Sequence, residues 1–284
     1  SKMPTVRLKY LSMITLTLMI LYPNYKHIES YKIPTVMNTS EVNTLTALEK
    51  KVQREDYVLS WWDYGYPIRY YADVKTLGDG GKHSGAVNFP LSFVLTSKPE
   101  LAAKMARLDV EFTEKAFRIG KDNLDKNESQ KVKLFSTIEE MTKSYGFDDT
   151  NDFLYALQTD IDLPHKTRDI YLYLPYKLLN IYPTVKVFSN LDLMTGEKEQ
   201  SPFYFISRNF KETKEKVFFA QDVFLDKKDL SMSINGKKVY LNKFVTTGYT
   251  KDNTFTKNVQ EINLNASLNL IYMSAYNTFL IIDN

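Results

Sequence analysis

The sequence predicts an α+β fold in which helices come first and strands come last. Apolar residues recur at helical spacing between residues 41 and 190, whereas short aromatic or alternating segments separated by turns dominate residues 191–284. The 20 tyrosines and 17 phenylalanines among 284 residues also favour a β-rich portion. We therefore predict a mixed, mainly helical core followed by a β-rich module.

An uncharged apolar run occupies residues 10–22, behind the basic residues Lys2, Arg7 and Lys9. The run is shorter than the roughly 20 residues that span a membrane. It fits the core of a signal peptide, a buried soluble helix or the end of a membrane helix, and the basic flank favours a cytoplasmic N-terminal side. No small-residue cleavage pattern follows it. Residues 23–40 contain two prolines and predict an extended linker.

The helical core is predicted from apolar spacing and from turn residues. Leu45, Leu48 and Val52 share one helical face, and Ser97 with Pro99 forms a helix start. The predicted elements are a helix at 44–54, a strand at 56–60, a loop-like stretch at 63–90, a helix from 97 to about 117, a polar insertion at 118–130, and helices at 131–145, 151–158 and 165–181.

The β-rich module is predicted from short aromatic or alternating segments. Asn235-Gly236 is typical of a tight hairpin turn. The predicted strands are 185–188, 203–206, 217–224, 239–244, 261–264, 268–273 and 278–282.

Composition excludes several classes of site. The chain has no cysteine, which excludes disulfides, thiolate catalysis and zinc sites built on cysteine. The net charge of +3 comes from 37 basic and 34 acidic residues, and this balance gives no indication of a nucleic-acid partner.

The most informative motif is Trp61-Trp62-Asp63-Tyr64-Gly65, which holds both tryptophans of the chain. An indole N–H donates a hydrogen bond and an adjacent carboxylate accepts one, so the motif suits a ligand with a hydroxyl group. The alternative is that the tryptophans pack in the core. Because successive strand residues point to opposite faces, both indoles reach one ligand only if the backbone turns here.

The stretches at 61–83, 105–117 and 166–175 resemble the catalytic subunit of oligosaccharyltransferase, most of all the bacterial single-subunit enzymes of the PglB type in Campylobacter. That family transfers a glycan from an undecaprenyl-diphosphate carrier to asparagine in Asp/Glu-x-Asn-x-Ser/Thr. The resemblance implies that residues 1–22 end the last transmembrane helix and that the remainder is periplasmic at the bacterial inner membrane. The family sequence continues past residue 284, which implies a truncated β-rich module.

The resemblance also implies roles for individual residues. The +2 Ser/Thr hydroxyl of the acceptor is bound by Trp61, Trp62 and Asp63, in a pocket shaped by Tyr64 and Gly65. An isoleucine in a short helical Met-x-x-Ile motif contacts the threonine methyl; here the matching stretch is Thr167-Arg168-Asp169-Ile170, with Thr167 in place of methionine. This assigns Ile170, although ordinary packing is the commoner use of isoleucine.

The loop Asp79-Gly80-Gly81-Lys82-His83 brings backbone N–H groups and charge together, as phosphate-binding loops do. The resemblance implies that it faces the lipid pyrophosphate. On this basis Tyr66 and His83 have roles on the donor side, and Lys82 and Arg69 are second candidates. From the residues alone, without the resemblance, this loop is also compatible with a flexible turn.

Mg²⁺ or Mn²⁺ is implied as the cofactor, bound by acidic residues of the family's membrane domain, so the ligands lie outside this chain. The implied partners are the acceptor polypeptide, the lipid-linked oligosaccharide and the protein's own transmembrane domain, and the isolated chain is expected to be inactive. Asp125-Lys126-Asn127-Glu128-Ser129 fits the bacterial acceptor pattern, which predicts self-glycosylation at Asn127.

Two other functions remain open from the residues alone. A membrane-anchored periplasmic module could use the tryptophans to bind a peptide or sugar. A glycoside hydrolase needs a second carboxylate near Asp63, for which Asp73 and Asp79 are the nearby choices.

Overall fold

The structure is a computed structural model that describes residues 3–31, 36–124, 137–159, 161–198 and 203–283. The chain divides into two compact units, residues 1–46 and 47–284. The order of elements confirms the predicted α+β class, with a helical core followed by a β-rich module.

The first unit contains helix α1 (Met3–Ser30) and the start of helix α2 (Thr39–Glu49). The helix α1 continues through Pro23, so the prediction of an extended linker from residue 23 is wrong as far as Ser30. An ion pair between Lys26 Nζ and Glu29 Oε2, 3.0 Å apart at i,i+3 spacing, supports this last part of the helix. Among the described residues, no helix combines the length and apolar character needed to cross a membrane.

The helix α2 begins earlier than predicted because a capping box precedes it. The Glu41 N–H donates to Asn38 Oδ1 at 2.9 Å, and the Asn38 N–H donates to Glu41 Oε2 at 2.8 Å. This reciprocal pair satisfies donors at the N-terminus of a helix. The predicted range of 44–54 is therefore shifted towards the N-terminus.

The core of the second unit is mainly helical and also contains two short strands. Its elements are β1 (Tyr57–Leu59), a 3₁₀ helix (Trp62–Tyr64), α3 (Gly65–Ala72), α4 (Gly85–Thr96), α5 (Pro99–Leu124), α6 (Ile138–Ser144), α7 (Thr150–Gln158), β2 (Ile170–Leu172) and α8 (Leu178–Ser189).

Two predictions in the core are wrong for the same reason, which is that short apolar runs fit either helix or strand. The predicted helix at 165–181 contains β2, which pairs in parallel with β1 in the register Tyr57 to Ile170 and Leu59 to Leu172. The predicted strand at 185–188 lies inside α8. Pro183, which was expected to end a helix, lies within α8.

The prediction of a loop over residues 63–90 is confirmed only for residues 73–84, because α3 comes before that segment and the first half of α4 comes after it. The helix α3 buries Gly65, Ile68 and Ala72, which lie on one helical face. Gly65 stands at the first position of α3, where a glycine does not interrupt a helix.

The β-rich module contains nine strands in the described part of the chain. They are β3 (Tyr204–Ser207), β4 (Lys211–Glu212), β5 (Lys216–Ala220), β6 (Val223–Asp226), β7 (Ser231–Ile234), β8 (Lys237–Tyr249), β9 (Phe255–Glu261), β10 (Leu268–Met273) and β11 (Thr278–Asp283).

These strands form one sheet in the order β3-β11-β10-β8-β7-β6-β5-β4, with β9 paired to β8. The pairing is antiparallel except between β8 and β10. The predicted turn at Asn235-Gly236 joins β7 and β8, and both residues have positive φ, 50° and 77°. Two predicted segments need correction: 217–224 is two strands, and the strand predicted at 261–264 lies earlier, at β9.

Candidate functional site

The pentapeptide begins two residues after the end of β1. Its backbone turns after Trp61, as it must if the two indoles are to point away from the alternation of a strand. Trp61 is extended, with φ −64° and ψ 147°, and the next three residues form the 3₁₀ helix that leads into α3. Trp61 is 2% exposed and its ring lies 5.4 Å from that of Phe188 in α8. Trp62 is half-buried and Asp63 is exposed. The turn therefore presents Trp62 and Asp63 at the surface, while Trp61 packs in the core behind them.

The surroundings of Tyr64 and Gly65 fit their predicted role, which is to shape the acceptor pocket. Tyr64 is buried, with its ring 6.0 Å from that of Tyr173 in an edge-on arrangement. Gly65 has ordinary helical torsion angles, so its requirement is space. A Cβ there would lie 2.2 Å from the carbonyl oxygen of Gly78 and 2.6 Å from Cβ of Asp79. The start of α3 is thus in direct contact with the loop at 78–83.

An ionic network holds β1 and β2, and so the pentapeptide, against α5. Oε1 of Glu114 accepts from the Tyr57 hydroxyl at 2.7 Å and from Lys75 Nζ at 2.9 Å. Its Oε2 accepts from Arg168 at 3.1 Å. Burial raises the pKa of the Tyr57 phenol, which therefore stays neutral and donates.

The loop at 78–83 is closed around the buried carboxylate of Asp79. Oδ2 of Asp79 accepts from Arg69 at 2.9 Å, and its Oδ1 accepts from the Gly81 N–H at 2.9 Å. The backbones of Asp79 and Lys82 bond to each other in both directions. Arg69, a second candidate for the donor side, is therefore engaged in holding the loop.

Trp62 and Tyr66 both lie against the loop at 78–83, and Asp63 lies within electrostatic range of His83. The rings of Trp62 and His83 stack, with centroids 4.5 Å apart. The Tyr66 ring, which is half exposed, covers Gly80 so closely that a Cβ on this glycine would lie 2.8 Å from the ring. The structure thus brings the predicted acceptor residues at the surface next to the predicted donor residues.

Electrostatics couple the two sides of this region. Although the Asp63 residue is exposed, partial desolvation of its carboxylate raises the pKa, and the charge of His83 opposes that rise. Burial lowers the pKa of the Lys82 ammonium, against the opposing effect of Asp79. An ionised Asp63 accepts hydrogen bonds only, which is what a ligand hydroxyl requires of it.

Ile170 is not brought to the pentapeptide. It pairs with Tyr57, four residues before Trp61, and a strand rises about 3.3 Å per residue, so the two lie roughly 13 Å apart along the strand. Ile170 is also in a strand rather than a helix, and it lines a groove of about 580 Å³ with α5 side chains. Thr167 has a separate role, since its N–H and hydroxyl both donate to Glu111, at 2.6 and 2.7 Å.

The helix α8 supplies the helical isoleucine that the resemblance calls for. Leu178-Leu179-Asn180-Ile181 forms its first turn, with isoleucine in the fourth position. Ile181, Val185 and Phe188 are spaced i, i+4 and i+7 and share one face, which contacts Trp61 through Phe188. Neither this stretch nor Thr167-Arg168-Asp169-Ile170 has the methionine of the motif, so the sequence alone does not distinguish Ile181 from Ile170.

The other candidate carboxylates do not form a pair with Asp63. Asp79 is buried and bonded to Arg69. Asp73 lies at the opposite end of α3, a helix of eight residues and so about 12 Å long, and its Oδ1 is 3.6 Å from Arg54 Nε. This exceeds the separation used by glycosidases, which argues against the hydrolase interpretation.

These carboxylates also do not fit a divalent cation. Within the described ranges, no group of three or more histidine, aspartate or glutamate side chains is placed to hold a metal ion. The predicted glycosylation site, Asn127, lies outside the described residues.

Comparisons with known proteins identify the family of this chain. The family model for the STT3/PglB/AglB core domain matches residues 54–195, and that for the STT3/PglB C-terminal beta-barrel domain matches residues 203–282. The chain belongs to the STT3/PglB/AglB family. The first match contains the whole pentapeptide and α8, and the second contains the nine strands of the β-rich module almost completely.

Named relatives of this STT3/PglB/AglB chain are glycotransferases. Two undecaprenyl-diphosphooligosaccharide–protein glycotransferases of Campylobacter jejuni, from strains RM1221 and NCTC 11168, are each 39% identical over 243 residues, which is 84% of this chain and 33% of the relative. A dolichyl-phosphooligosaccharide-protein glycotransferase 2 of Pyrococcus furiosus is 30% identical over 66 residues, 23% of this chain and 9% of the relative. The chain thus spans about a third of the length of the Campylobacter relatives.

The fold agrees with a solved structure of the same family. The crystal structure of the C. jejuni PglB C-terminal domain matches with a TM-score of 0.66 and 35% sequence identity, covering 86% of this chain and 85% of that chain. The predicted family and the predicted fold class are both confirmed.

Proposed function

We propose that this chain is the acceptor-recognition part of an oligosaccharyltransferase. The whole enzyme would transfer an oligosaccharide from undecaprenyl diphosphate to the asparagine of Asp/Glu-x-Asn-x-Ser/Thr. The observation that carries the proposal is the half-buried Trp62 and the exposed Asp63 beside His83, in a chain of the STT3/PglB/AglB family. The enzyme would act at the bacterial inner membrane, with this domain in the periplasm.

Acceptor recognition would rest on the +2 hydroxyl. The hydroxyl donates to the carboxylate of Asp63, and an indole N–H of the pentapeptide donates to the hydroxyl oxygen. A valine at +2 leaves the carboxylate desolvated and without its donor, so the site rejects it. We place Ile181 of α8, rather than Ile170, against the threonine methyl because Ile181 lies on the helix face that contacts Trp61 through Phe188.

The donor side would be formed by Tyr66 and His83, with Lys82 adding positive charge towards the pyrophosphate. Mg²⁺ or Mn²⁺ would be held by the membrane domain of the whole protein, because the acidic residues near the pentapeptide do not fit a cation. The chain by itself would bind the acceptor sequence without transferring glycan.

The test uses the full-length protein and peptides carrying Asp-x-Asn-x-Thr or the same sequence with valine at +2. We compare wild type with Asp63→Ala, which removes the acceptor, and with Asp152→Ala as the control at an exposed position of α7. Losing a hydrogen bond to a charged group costs about 1.5–3 kcal/mol, so transfer to the threonine peptide should fall roughly ten- to a hundredfold in Asp63→Ala.

The second readout is the discrimination between the two peptides. It should collapse in Asp63→Ala and persist in Asp152→Ala. Discrimination that survives Asp63→Ala would show that the pentapeptide is structural. Equal transfer to both peptides by the wild type would contradict hydroxyl recognition, and binding without any transfer by the full-length protein would favour the binding-module alternative.

A further inference from the structure

The helix α8 has one face towards the pentapeptide and α4. Phe188 contacts the Trp61 ring at 5.4 Å, and the carbonyl of the fully buried Val185 accepts from the Ser92 hydroxyl at 2.6 Å. Ile181 lies one turn before Val185 on this face. Any displacement of α8 would therefore move Phe188 and Ile181 relative to Trp61.

The opposite side of α8 has a defect that its own sequence creates. Pro183 lies within the helix and has no N–H, so the carbonyl of Leu179, four residues earlier, lacks its helical donor. The hydroxyl of Tyr204, in β3, donates to this carbonyl at 2.6 Å. The rings of Tyr204 and Tyr182 also stack, with centroids 5.2 Å apart. A residue of the β-rich module thus completes the hydrogen bonding of α8.

The Tyr204 hydroxyl stays a donor across the working pH range. Burial raises its pKa to about 12, and the nearby Tyr182 acts in the same direction. The phenol is therefore neutral at pH values near 7, and its hydrogen bond to Leu179 does not titrate there.

Arg208 of the β-rich module makes a second set of hydrogen bonds at the start of α8. Arg208 donates to the side-chain oxygen of Asn180 and, at 3.1 Å, to the hydroxyl of Tyr176. The Tyr176 ring stacks on Tyr276, with centroids 4.1 Å apart, and its hydroxyl shares a hydrogen bond with Thr278. Contacts from β3 and from the β10–β11 connection therefore converge on the turn that carries Ile181.

We propose that the β-rich module is a positioning element of the acceptor site, in which Tyr204 and Arg208 fix the first turn of α8 and so hold Ile181 at the pentapeptide. This inference rests on the proposed function. Tyr204 and Arg208 touch no substrate in this scheme; they act through α8. The module would thus determine how well the enzyme prefers threonine to serine at +2, because the methyl contact depends on where Ile181 lies.

The experiment measures kcat/KM of the full-length protein for acceptor peptides with threonine or serine at +2. The variant Tyr204→Phe keeps the ring stack and removes the hydroxyl. We expect its threonine-to-serine ratio to fall roughly threefold to tenfold, as for the loss of one hydrogen bond, with an unchanged KM for the lipid-linked donor. Tyr249→Phe makes the same change on β8, where the ring contacts Phe255, and should leave the ratio unchanged.

A rescue variant separates positioning from loss of fold. Pro183→Ala restores an N–H that can donate to the Leu179 carbonyl, so the double variant Tyr204→Phe with Pro183→Ala should recover the wild-type ratio. The reference variant is Ile181→Ala, which should lower the ratio directly.

If Ile181→Ala lowers the ratio and Tyr204→Phe does not, the role of the module is refuted while the proposed function stands. The role is also refuted if Tyr249→Phe lowers the ratio equally or if Pro183→Ala fails to rescue. A full-length protein that transfers to neither peptide contradicts the proposed function itself, and the inference fails with it.

Discussion

The indole of Trp62 stacks on the imidazole of His83, with 4.5 Å between the ring centroids and 24° between their planes. His83 is held in turn by Asn88, whose side-chain N–H donates to the His83 carbonyl at 2.9 Å. The stack joins a residue of the pentapeptide to a residue of the glycine-rich loop. A substitution of His83, on the proposed donor side, therefore alters the surroundings of Trp62 on the proposed acceptor side.

Replacing His83 with phenylalanine should change the pH dependence of transfer. The variant keeps an aromatic partner for Trp62 and removes the charge that lowers the pKa of Asp63. Because burial already raises that pKa, it should rise further in His83→Phe. Hydroxyl recognition needs the carboxylate, so activity is lost as the pH falls through this pKa. The acid limb of kcat/KM for the acceptor should therefore shift to higher pH.

The control is His165→Phe, which changes an exposed histidine outside the pentapeptide and the glycine-rich loop. Profiles of kcat/KM against pH for the full-length protein and both variants provide the measurement. An acid limb that stays in place or moves to lower pH in His83→Phe would exclude coupling between the two side chains.

Gly65→Ala should destabilise the domain. Its Cβ would lie 2.2 Å from the backbone oxygen of Gly78, and backbone cannot rotate away as a side chain can. Overpacking of this kind typically costs about 1–3 kcal/mol, and the backbone contact favours the upper end. Gly85→Ala is the matched control, because nothing lies within 4 Å of its Cβ.

Urea unfolding of the two glycine variants measures the difference in free energy. Gly85→Ala should be neutral or slightly stabilising, since alanine is the better helix former. Equal stability of the two variants would mean that the close approach of α3 to the loop at 78–83 does not persist in solution.

The family and the order of helices and strands could be predicted from sequence because both depend on local pattern. The stretch at 61–83 is long and specific, and alternation with turn residues identified most strands of the β-rich module. The course of residues 165–189 could not be predicted in this way. The strand β2 exists because it pairs with β1, more than 100 residues earlier, and that partner is invisible to a local pattern.

The site shows the same division between local and long-range information. Trp61, Trp62 and Asp63 are predicted to bind the acceptor together. In the structure Asp63 is exposed and Trp62 is half-buried, whereas Trp61 is buried. That Trp61 is buried depends on Phe188, and that Arg69 is engaged depends on Asp79; both are tertiary contacts. A proline predicts the end of a helix, but α8 continues through Pro183, and the Tyr204 hydroxyl, from another part of the fold, bonds to the carbonyl that the proline leaves without a donor.

Asp109 should make the stability of the domain fall as the pH rises. This side chain is buried in α5, and burial raises its pKa to about 8, compared with about 3.9 in an unfolded chain. Between these values the unfolded state releases the proton first, so the folded state binds more protons and its stability declines with increasing pH. Asp109→Asn carries no such charge and should escape the decline.

Unfolding by urea at pH 5, 6.5 and 8 tests this prediction. The advantage of Asp109→Asn over wild type should be smallest at pH 5 and should grow by a few kcal/mol up to pH 8, because each pKa unit corresponds to about 1.4 kcal/mol. Asp148→Asn, at an exposed position, should track the wild type throughout. A gap between Asp109→Asn and wild type that is the same at all three pH values would mean that Asp109 ionises normally in the folded domain, and that water or a partner reaches it within α5.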